Sequence, residues 1–227
     1  MSVSRPAPES RIVALVSGLD SAIMAGLLAR TYREVTPLFV RAGLRWEDAE
    51  IMGLRRYFAA LNDPSVGPLV ELDLGAHGLY GDHWSTGAGA VPDAQQPDQV
   101  WYLPGRNLML LAQAAIFGAI HEIPRAAIGI LASNPFPDAQ DPFLRSFERT
   151  ADLAMDFAFE VLAPLRNLHK ADVIRAGQGL PVELALSCAD PVDGRHCGVC
   201  GKCGERRRGF IAAGVPDPTP YAALGPL

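Results

Sequence analysis

The sequence predicts an α/β protein, a parallel sheet flanked by helices, with a cysteine-bearing segment at its C-terminal end. Three observations predict it. An apolar run at residues 12–16 leads directly into the polar turn Ser17-Gly18-Leu19-Asp20-Ser21 and then into a helix pattern at residues 22–30. Strand-like and helix-like stretches alternate onward to Ala163, the order that favours parallel strands with covering helices. All four cysteines fall between positions 188 and 203, beyond the last strand. With 227 residues, 49% of them hydrophobic and 20% charged, the chain can bury one sizeable core.

Taken in order, residues 1–10 form a polar, proline-bearing lead-in without the apolar core of a signal peptide, as in a cytoplasmic protein. Residues 34–40 are expected as the second strand, with Pro37 marking an irregularity or an exposed edge. Residues 46–61 read as a helix with Ile51, Leu54, Phe58 and Leu61 on its apolar stripe, and residues 68–74 as a third strand. Residues 75–103, rich in Gly, Pro, Asp and Gln, are longer than an ordinary connection and are expected to be functional or mobile. The turn Tyr102-Leu103-Pro104-Gly105-Arg106-Asn107 feeds a helix at 108–121, so apolar all round that burial between the sheet and its neighbours is expected. Residues 126–130 make a fourth strand, 131–142 a second polar loop, 143–157 a helix and 159–163 a fifth strand. A helix starts at Leu168-His169-Lys170-Ala171-Asp172 and ends near Gly177; residues 178–187 are a short helix or irregular link. Residues 203–213 read as the closing helix, its Arg206-Arg207-Arg208 run as a solvated face, and residues 214–227, with four prolines, as an extended tail. No internal repeat and no linker between two large domains is visible.

The chemistry concentrates at both ends. A buried strand, a turn of small and hydroxyl residues and a helix start make an anion site, because the first helical N–H groups lack intrahelical partners and the helix dipole favours negative charge there. The same residues also suit a plain strand-to-helix turn with Ser and Asp as caps. The net charge of −5 and pI of about 5.5 argue against extended nucleic-acid binding, and no apolar run approaches the ~20 residues that span a membrane. Cys188, Cys197, Cys200 and Cys203 are separated by eight, two and two residues. That spacing suits tetrahedral zinc held by four thiolates, a closed and therefore structural site. Two disulfides, a redox Cys-x-x-Cys pair or an iron–sulfur cluster are the other readings, and His196 is a weaker candidate ligand.

Three features in order, the Ser-Gly-Leu-Asp-Ser turn, the Tyr-Leu-Pro-Gly-Arg-Asn turn and the cysteine set, together resemble the ExsB/QueC family, the 7-cyano-7-deazaguanine synthases. Asn134-Pro135-Phe136-Pro137-Asp138 is similar to the family's Tyr-Pro-Asp stretch, and Pro164-Leu165-Arg166-Asn167-Leu168-His169-Lys170 to its Pro-Leu…Lys segment. The resemblance spans roughly residues 11–212. It implies a Rossmann-like fold of the adenine nucleotide alpha hydrolase type: an ATP-pyrophosphatase-like domain at residues 1–187 and a zinc-binding segment at 188–227 packed on it. It implies that a 7-carboxy-7-deazaguanine carboxylate attacks the α-phosphate of ATP, that pyrophosphate leaves, and that ammonia traps the acyl adenylate as an amide. A second activation gives the nitrile. ATP, Mg²⁺ and Zn²⁺ are the implied cofactors; the small-molecule carboxylate, ammonia and a second copy of the chain in a homodimer are the implied partners.

Carried over residue by residue, Ser17, Gly18, Leu19, Asp20 and Ser21 would hold pyrophosphate or Mg²⁺. Asp20, Arg106 and Lys170 are the implied catalytic groups, and Arg106, Asn107, Phe136 and Asp138 the implied substrate contacts. For Lys170 a solvated helix lysine, and for Asp138 a loop cap, are the plainer readings. The chain also departs from the family pattern. The family's Ser-Gly-Gly-x-Asp-Ser is here one glycine short. Its Tyr-Gly-Gln…His segment is replaced by Phe39-Val40-Arg41-Ala42-Gly43-Leu44-Arg45-Trp46-Glu47, and its Tyr-Pro-Asp-Cys-Arg stretch by Phe136-Pro137-Asp138-Ala139-Gln140. These departures point to a divergent member. They leave room for a paralogue that adenylates another carboxylate, or for a zinc-stabilised binding or scaffold protein with a degenerate loop.

Overall fold

The computed structural model describes residues 9–76, 78–87 and 89–227. The first eight residues of the expected lead-in lie outside them. Among the described residues five strands form one sheet: β1 (Glu9–Leu15), β2 (Tyr32–Arg41), β3 (Val70–Asp73), β4 (Arg125–Ala127) and β5 (Glu160–Leu162). Their order is β3-β2-β1-β4-β5 and every pairing is parallel. Among the described residues six α-helices accompany them: α1 (Leu19–Leu28), α2 (Glu47–Leu61), α3 (Arg106–Ile120), α4 (Asp141–Met155), α5 (Lys170–Ala176) and α6 (Gly201–Ala213).

The apolar run of β1 is continuous because both of its faces are covered. Ile12, Ala14 and Val16 join α1, α2, α5 and α6 in one core, while Val13 and Leu15 join α3 and α4 in the other. Chain order runs outward from β1 to β2 and β3, then returns to β4 on the other side of β1. This is the doubly wound topology, and its switch point lies between β1 and β4. In such sheets ligands bind outside the carboxyl ends of the strands at that point.

Pro37 is not at an edge: β2 lies between β1 and β3, and Pro37 pairs with Ala14 of β1. The missing N–H is tolerated because of direction. Val35 N donates to Ser65 O on the β3 side, and Pro37, two residues on, faces that same side. The β2–β3 ladder begins only at Leu38 opposite Val70, so the proline nitrogen falls in a gap between two bonded stretches.

Two further expectations are corrected. Helix α3 buries only Leu111, Ala114, Ala115 and Gly118, while Leu108, Ile116 and Ile120 are 47%, 47% and 70% exposed. Apolar composition all round therefore did not mean burial all round. Arg206 is not on a solvated face: it is 1% exposed, Arg207 is half-buried and only Arg208 is exposed. Arg206 Nε donates to Thr219 Oγ1 at 2.7 Å, Nη1 to Ala185 O at 2.8 Å and Nη2 to Val182 O at 2.8 Å. It ties α6, the irregular 178–187 link and the tail together.

Within the long 75–103 connection, Trp84 and Trp101 pack inward. Trp84 stacks on Trp46 with centroids 5.7 Å apart and meets Trp101 edge-on at 4.9 Å. With Leu103 and Leu186 these rings wall in the four cysteines as a third cluster. Gly201 N donates to Pro92 O, stitching the loop to the start of α6.

Candidate active site and metal centre

The turn after β1 opens at the switch point. Gly18 is the residue before α1 and has extended backbone (φ −91°, ψ −157°), so its lack of a side chain serves packing rather than conformation. A Cβ there would lie 3.3 Å from Ser187 Cβ and 3.4 Å from Leu186 O. Ser21 Oγ accepts from Ser17 N at 2.8 Å and donates to Gly18 O at 3.1 Å, so this hydroxyl braces the turn itself. Leu19 is buried to 1% in the core and can offer a ligand only its backbone N–H. Among the described residues no acceptor meets the N–H groups of Leu19 and Asp20, which start the helix. The turn thus presents free donors that suit an anion.

A cleft of about 210 Å³ lies over the turn, walled by Ser17 to Ser21, Glu50, Arg106, Asn107, Gly129, Lys170 and Lys202 among others. A second lobe of about 240 Å³ continues from it, lined by Trp101, Ser133, Asn134, Phe136 and Arg208. Asp20, Gly129, Asn134, Lys202 and Glu205 line both.

Lys170 is neither free nor solvated. Its Nζ donates to Asp20 Oδ2 at 2.5 Å and lies 2.9 Å from Glu205 Oε1, with 15% of its side chain exposed. Burial opposes its charge, but the two carboxylates outweigh that and hold its pKa above the ordinary lysine value. The second Asp20 oxygen, Oδ1, is buried without a partner.

Arg106 opens α3 behind Gly105, whose left-handed backbone (φ 71°) is one that glycine adopts freely. No described residue hydrogen-bonds or ion-pairs with its guanidinium, and its Nε is buried without a partner. Asn107 N donates to Asp138 Oδ2 at 2.9 Å and Asn107 Nδ2 to Asp138 O at 3.2 Å. Asp138 therefore caps α3 and steadies Asn107; its carboxylate lies outside the lining of both lobes. Phe136 does line the second lobe, stacked on Tyr102 with centroids 4.8 Å apart.

Four charged groups of the cleft escaped the sequence reading. Glu47 and Glu50 both lie on the buried face of α2. Glu47 accepts from Ala42 N at 2.8 Å and Gly43 N at 3.2 Å. Glu50 is 1% exposed, its Oε2 has no partner, and burial pushes its pKa up against the pull of Lys202 and Arg106. Stepping four residues back from Ile51 and Leu54 gives 47 and 50, so the helical period did carry a signal for both. Lys202 and Glu205 stand on α6, one and four residues beyond its first, and nothing local in the sequence aims them at the turn.

The four cysteine sulfurs lie within 4.8 Å of one another, all buried. Cys188 Sγ and Cys200 Sγ are 3.9 Å apart, and Cys197 Sγ and Cys203 Sγ 3.8 Å. Four thiolates at ~2.3 Å from a zinc ion stand ~3.8 Å from each other, so the set fits tetrahedral zinc and leaves no open position. These separations rule out bonded disulfides, whose sulfurs stand at about 2.05 Å. His196 is turned elsewhere: its Nε2 accepts from Ser187 N at 2.9 Å. Burial and the nearby Arg206 charge hold it neutral, its pKa lowered to about 3. For Mg²⁺ the donor set also fits, with Asp20 Oδ1 uncommitted; Mg²⁺ usually takes one or two carboxylates and completes its shell with water and phosphate.

Fold and site together define a doubly wound α/β protein with a turn of open N–H donors at its switch point and, beside it, a buried cluster of four cysteines that could hold a metal ion. Residues 10–214 match the family described as "Queuosine biosynthesis protein QueC". The chain is 37% identical to the 7-cyano-7-deazaguanine synthase of Anaeromyxobacter sp. (strain Fw109-5), over 94% of this chain and 97% of that one. It is 34% identical to that of Anaeromyxobacter dehalogenans (strain 2CP-C), over 93% and 95%, and 36% identical to that of Pseudomonas fluorescens (strain SBW25), over 92% and 97%. The chain belongs to the QueC family.

Proposed function

We propose that this chain is an ATP-dependent ligase that converts 7-carboxy-7-deazaguanine to 7-cyano-7-deazaguanine with ammonia. Full-length identity to synthases of that name carries the reading. The cleft supports it: helix-start donors suit a pyrophosphate, and the lobe lined by Trp101 and Phe136 suits a planar heterocycle. The alternatives of another carboxylate or a bare scaffold are not favoured by that identity or by the open donors of the turn.

In this reading the turn's N–H groups and Lys170 neutralise the leaving pyrophosphate, with Asp20 holding Mg²⁺, which supplies further charge neutralisation there. Arg106, without a partner of its own, takes a substrate anion, and Asn107, steadied by Asp138, sits beside it. Residues 1–187 form the activating domain. Residues 188–227 form the segment anchored by structural Zn²⁺, working in the cytoplasm. Among the described residues no helix is long and apolar enough to cross a membrane. The chain pairs as a homodimer, for which the exposed Leu108, Ile116 and Ile120 of α3 offer an apolar stripe.

Purified protein with Mg²⁺, ATP, the deazaguanine acid and ammonium should release pyrophosphate and form the nitrile, read by mass. Calorimetry should detect ATP binding without the acid. No ATP binding at millimolar concentration would sink the enzymatic reading. Binding without turnover of this acid would reopen the choice of carboxylate. Sedimentation of wild type and Ile116→Asp should distinguish dimer from monomer.

A further inference from the structure

The five residues shared by the two lobes mark where two reactants must meet. In the adenylation reading, on which this inference rests, the nucleotide lies over the turn and the acid lies in the aromatic lobe, so the carboxylate reaches the α-phosphorus at their overlap. That overlap contains two carboxylates, Asp20 and Glu205, both turned to the ammonium of Lys170. Among the described residues that line both lobes, Lys202 is the one cation.

Its placement is built from several directions. Lys202 follows Cys200 and precedes Cys203, both buried metal-site thiols. Gly201 before it is pressed so closely on Trp101 that a Cβ would lie 2.3 Å from Cζ2. The backbone root of Lys202 is therefore fixed, and its side chain runs from the cysteine cluster into the cleft. There its Nζ lies 4.6 Å from the Trp46 ring centroid, and no described residue hydrogen-bonds or ion-pairs with it. Glu50, one helical turn beyond Trp46, is buried with an unpartnered Oε2 and also touches the turn, since a Cβ on Gly18 would lie 3.6 Å from its Oε1. An unpartnered buried carboxyl and an ammonium without an ion pair thus flank the place where charge must move.

We propose that Lys202 is a catalytic residue of this cleft, its ammonium meeting the reacting carboxylate and α-phosphate, with Glu50 as the positioning residue that draws it there. The step is an in-line displacement. A carboxylate oxygen bonds to the α-phosphorus, the bond from that phosphorus to the bridging oxygen of pyrophosphate breaks, and the electron pair leaves on pyrophosphate. Lys202 keeps its proton throughout and stabilises the negative charge that gathers on the α-phosphate oxygens.

The test compares wild type with Lys202→Met in pyrophosphate release with the deazaguanine acid, with ATP affinity measured by calorimetry. Zinc per chain and the thermal midpoint report folding. We expect kcat to fall roughly 100-fold or more. ATP affinity should stay within about threefold, as expected for an interaction made mainly in the transition state. Lys202→Arg should restore part of the rate, and Glu50→Gln should lower kcat about tenfold with both KM values unmoved. If the Met variant fails to hold zinc, Lys202→Gln, polar and neutral, faces the same criteria. A neutral variant within about threefold of wild-type kcat overturns the proposal, as does a loss confined to ATP affinity. A wild type that releases no pyrophosphate would overturn the functional reading and this inference together. A wild type that turns over beside an equally active Lys202→Met would overturn this inference alone.

Discussion

The two walls of the cleft are made in opposite ways. The turn wall comes from five consecutive residues, Ser17 to Ser21, and its donors are backbone N–H groups placed by the geometry of a strand entering a helix. The facing wall comes from α2, α3, α5 and α6, and its groups are the side chains of Glu50, Arg106, Lys170, Lys202 and Glu205. The first wall is placed by β1 running directly into α1. The second needs the cysteine cluster to set the start of α6 and Arg206 to hold α6 against the 182–187 link. The walls meet physically where Gly18 packs on Leu186 and Ser187, the segment that Arg206 and His196 hold. Donors made locally are thus joined by charges whose placement depends on a cysteine cluster far along the chain.

The largest test of this division is the metal. Cys200→Ser, or chelation, should abolish turnover and lower the thermal midpoint by roughly 10 °C or more, since a structural zinc contributes directly to folding. Metal analysis and calorimetric melting check it; full activity without metal would mean that the facing wall stands unaided. Next comes Arg206→Met, which leaves Ala185 O bare in the interior and Val182 O with only the bond from Ala185 N. At about 1–3 kcal/mol for the stranded acceptor and a similar amount for the other charge-assisted bonds lost, urea unfolding should show a loss of roughly 3–5 kcal/mol. Gly18→Ala acts at the seam. Its new methyl meets Ser187 and Leu186 at 3.3–3.4 Å, so about 1–3 kcal/mol of stability should go, with weaker ATP binding by calorimetry.

The smallest effect is a pH dependence. Burial raises the Glu50 pKa in the folded protein. The folded state then holds this proton more tightly than the unfolded state, whose glutamate titrates near 4.3. The Glu50 contribution is therefore fully present below that value and is lost as pH rises through the folded pKa. Glu50→Gln should flatten this slope, unfolding like wild type at the acid end and proving more stable than wild type at neutral pH. Urea midpoints across pH 4–8 read the difference, and parallel curves would refute it.

The legible parts of the molecule share one property. Strand, turn and helix at residues 12–30 were readable because apolar pattern and turn chemistry act between near neighbours, and the cysteine spacing because Cys-x-x-Cys has few uses. The misread parts depended on what packs against them. Pro37 left an irregularity and an exposed edge both open, and the gap in the β2–β3 ladder is the irregularity, because sequence does not show which direction a missing N–H faces. Helix α3 looked buried all round because composition does not count available neighbours. Arg206 looked solvated because its partners, Val182, Ala185 and Thr219, lie 24, 21 and 13 residues away.

By itself, then, the sequence determined the α/β alternation, the strand-turn-helix at its start, the clustering of the four cysteines and the family, all carried by short-range pattern or by an ordered set of motifs. Only the tertiary structure decided the strand order with its switch point, the capture of Lys170 by Asp20 and Glu205, and the placing of Lys202 over Trp46 in a cleft that Glu50 also lines. The reason is physical: a backbone donor is placed by its own two or three neighbours. A charge at the end of a long side chain is placed by everything that packs around its root.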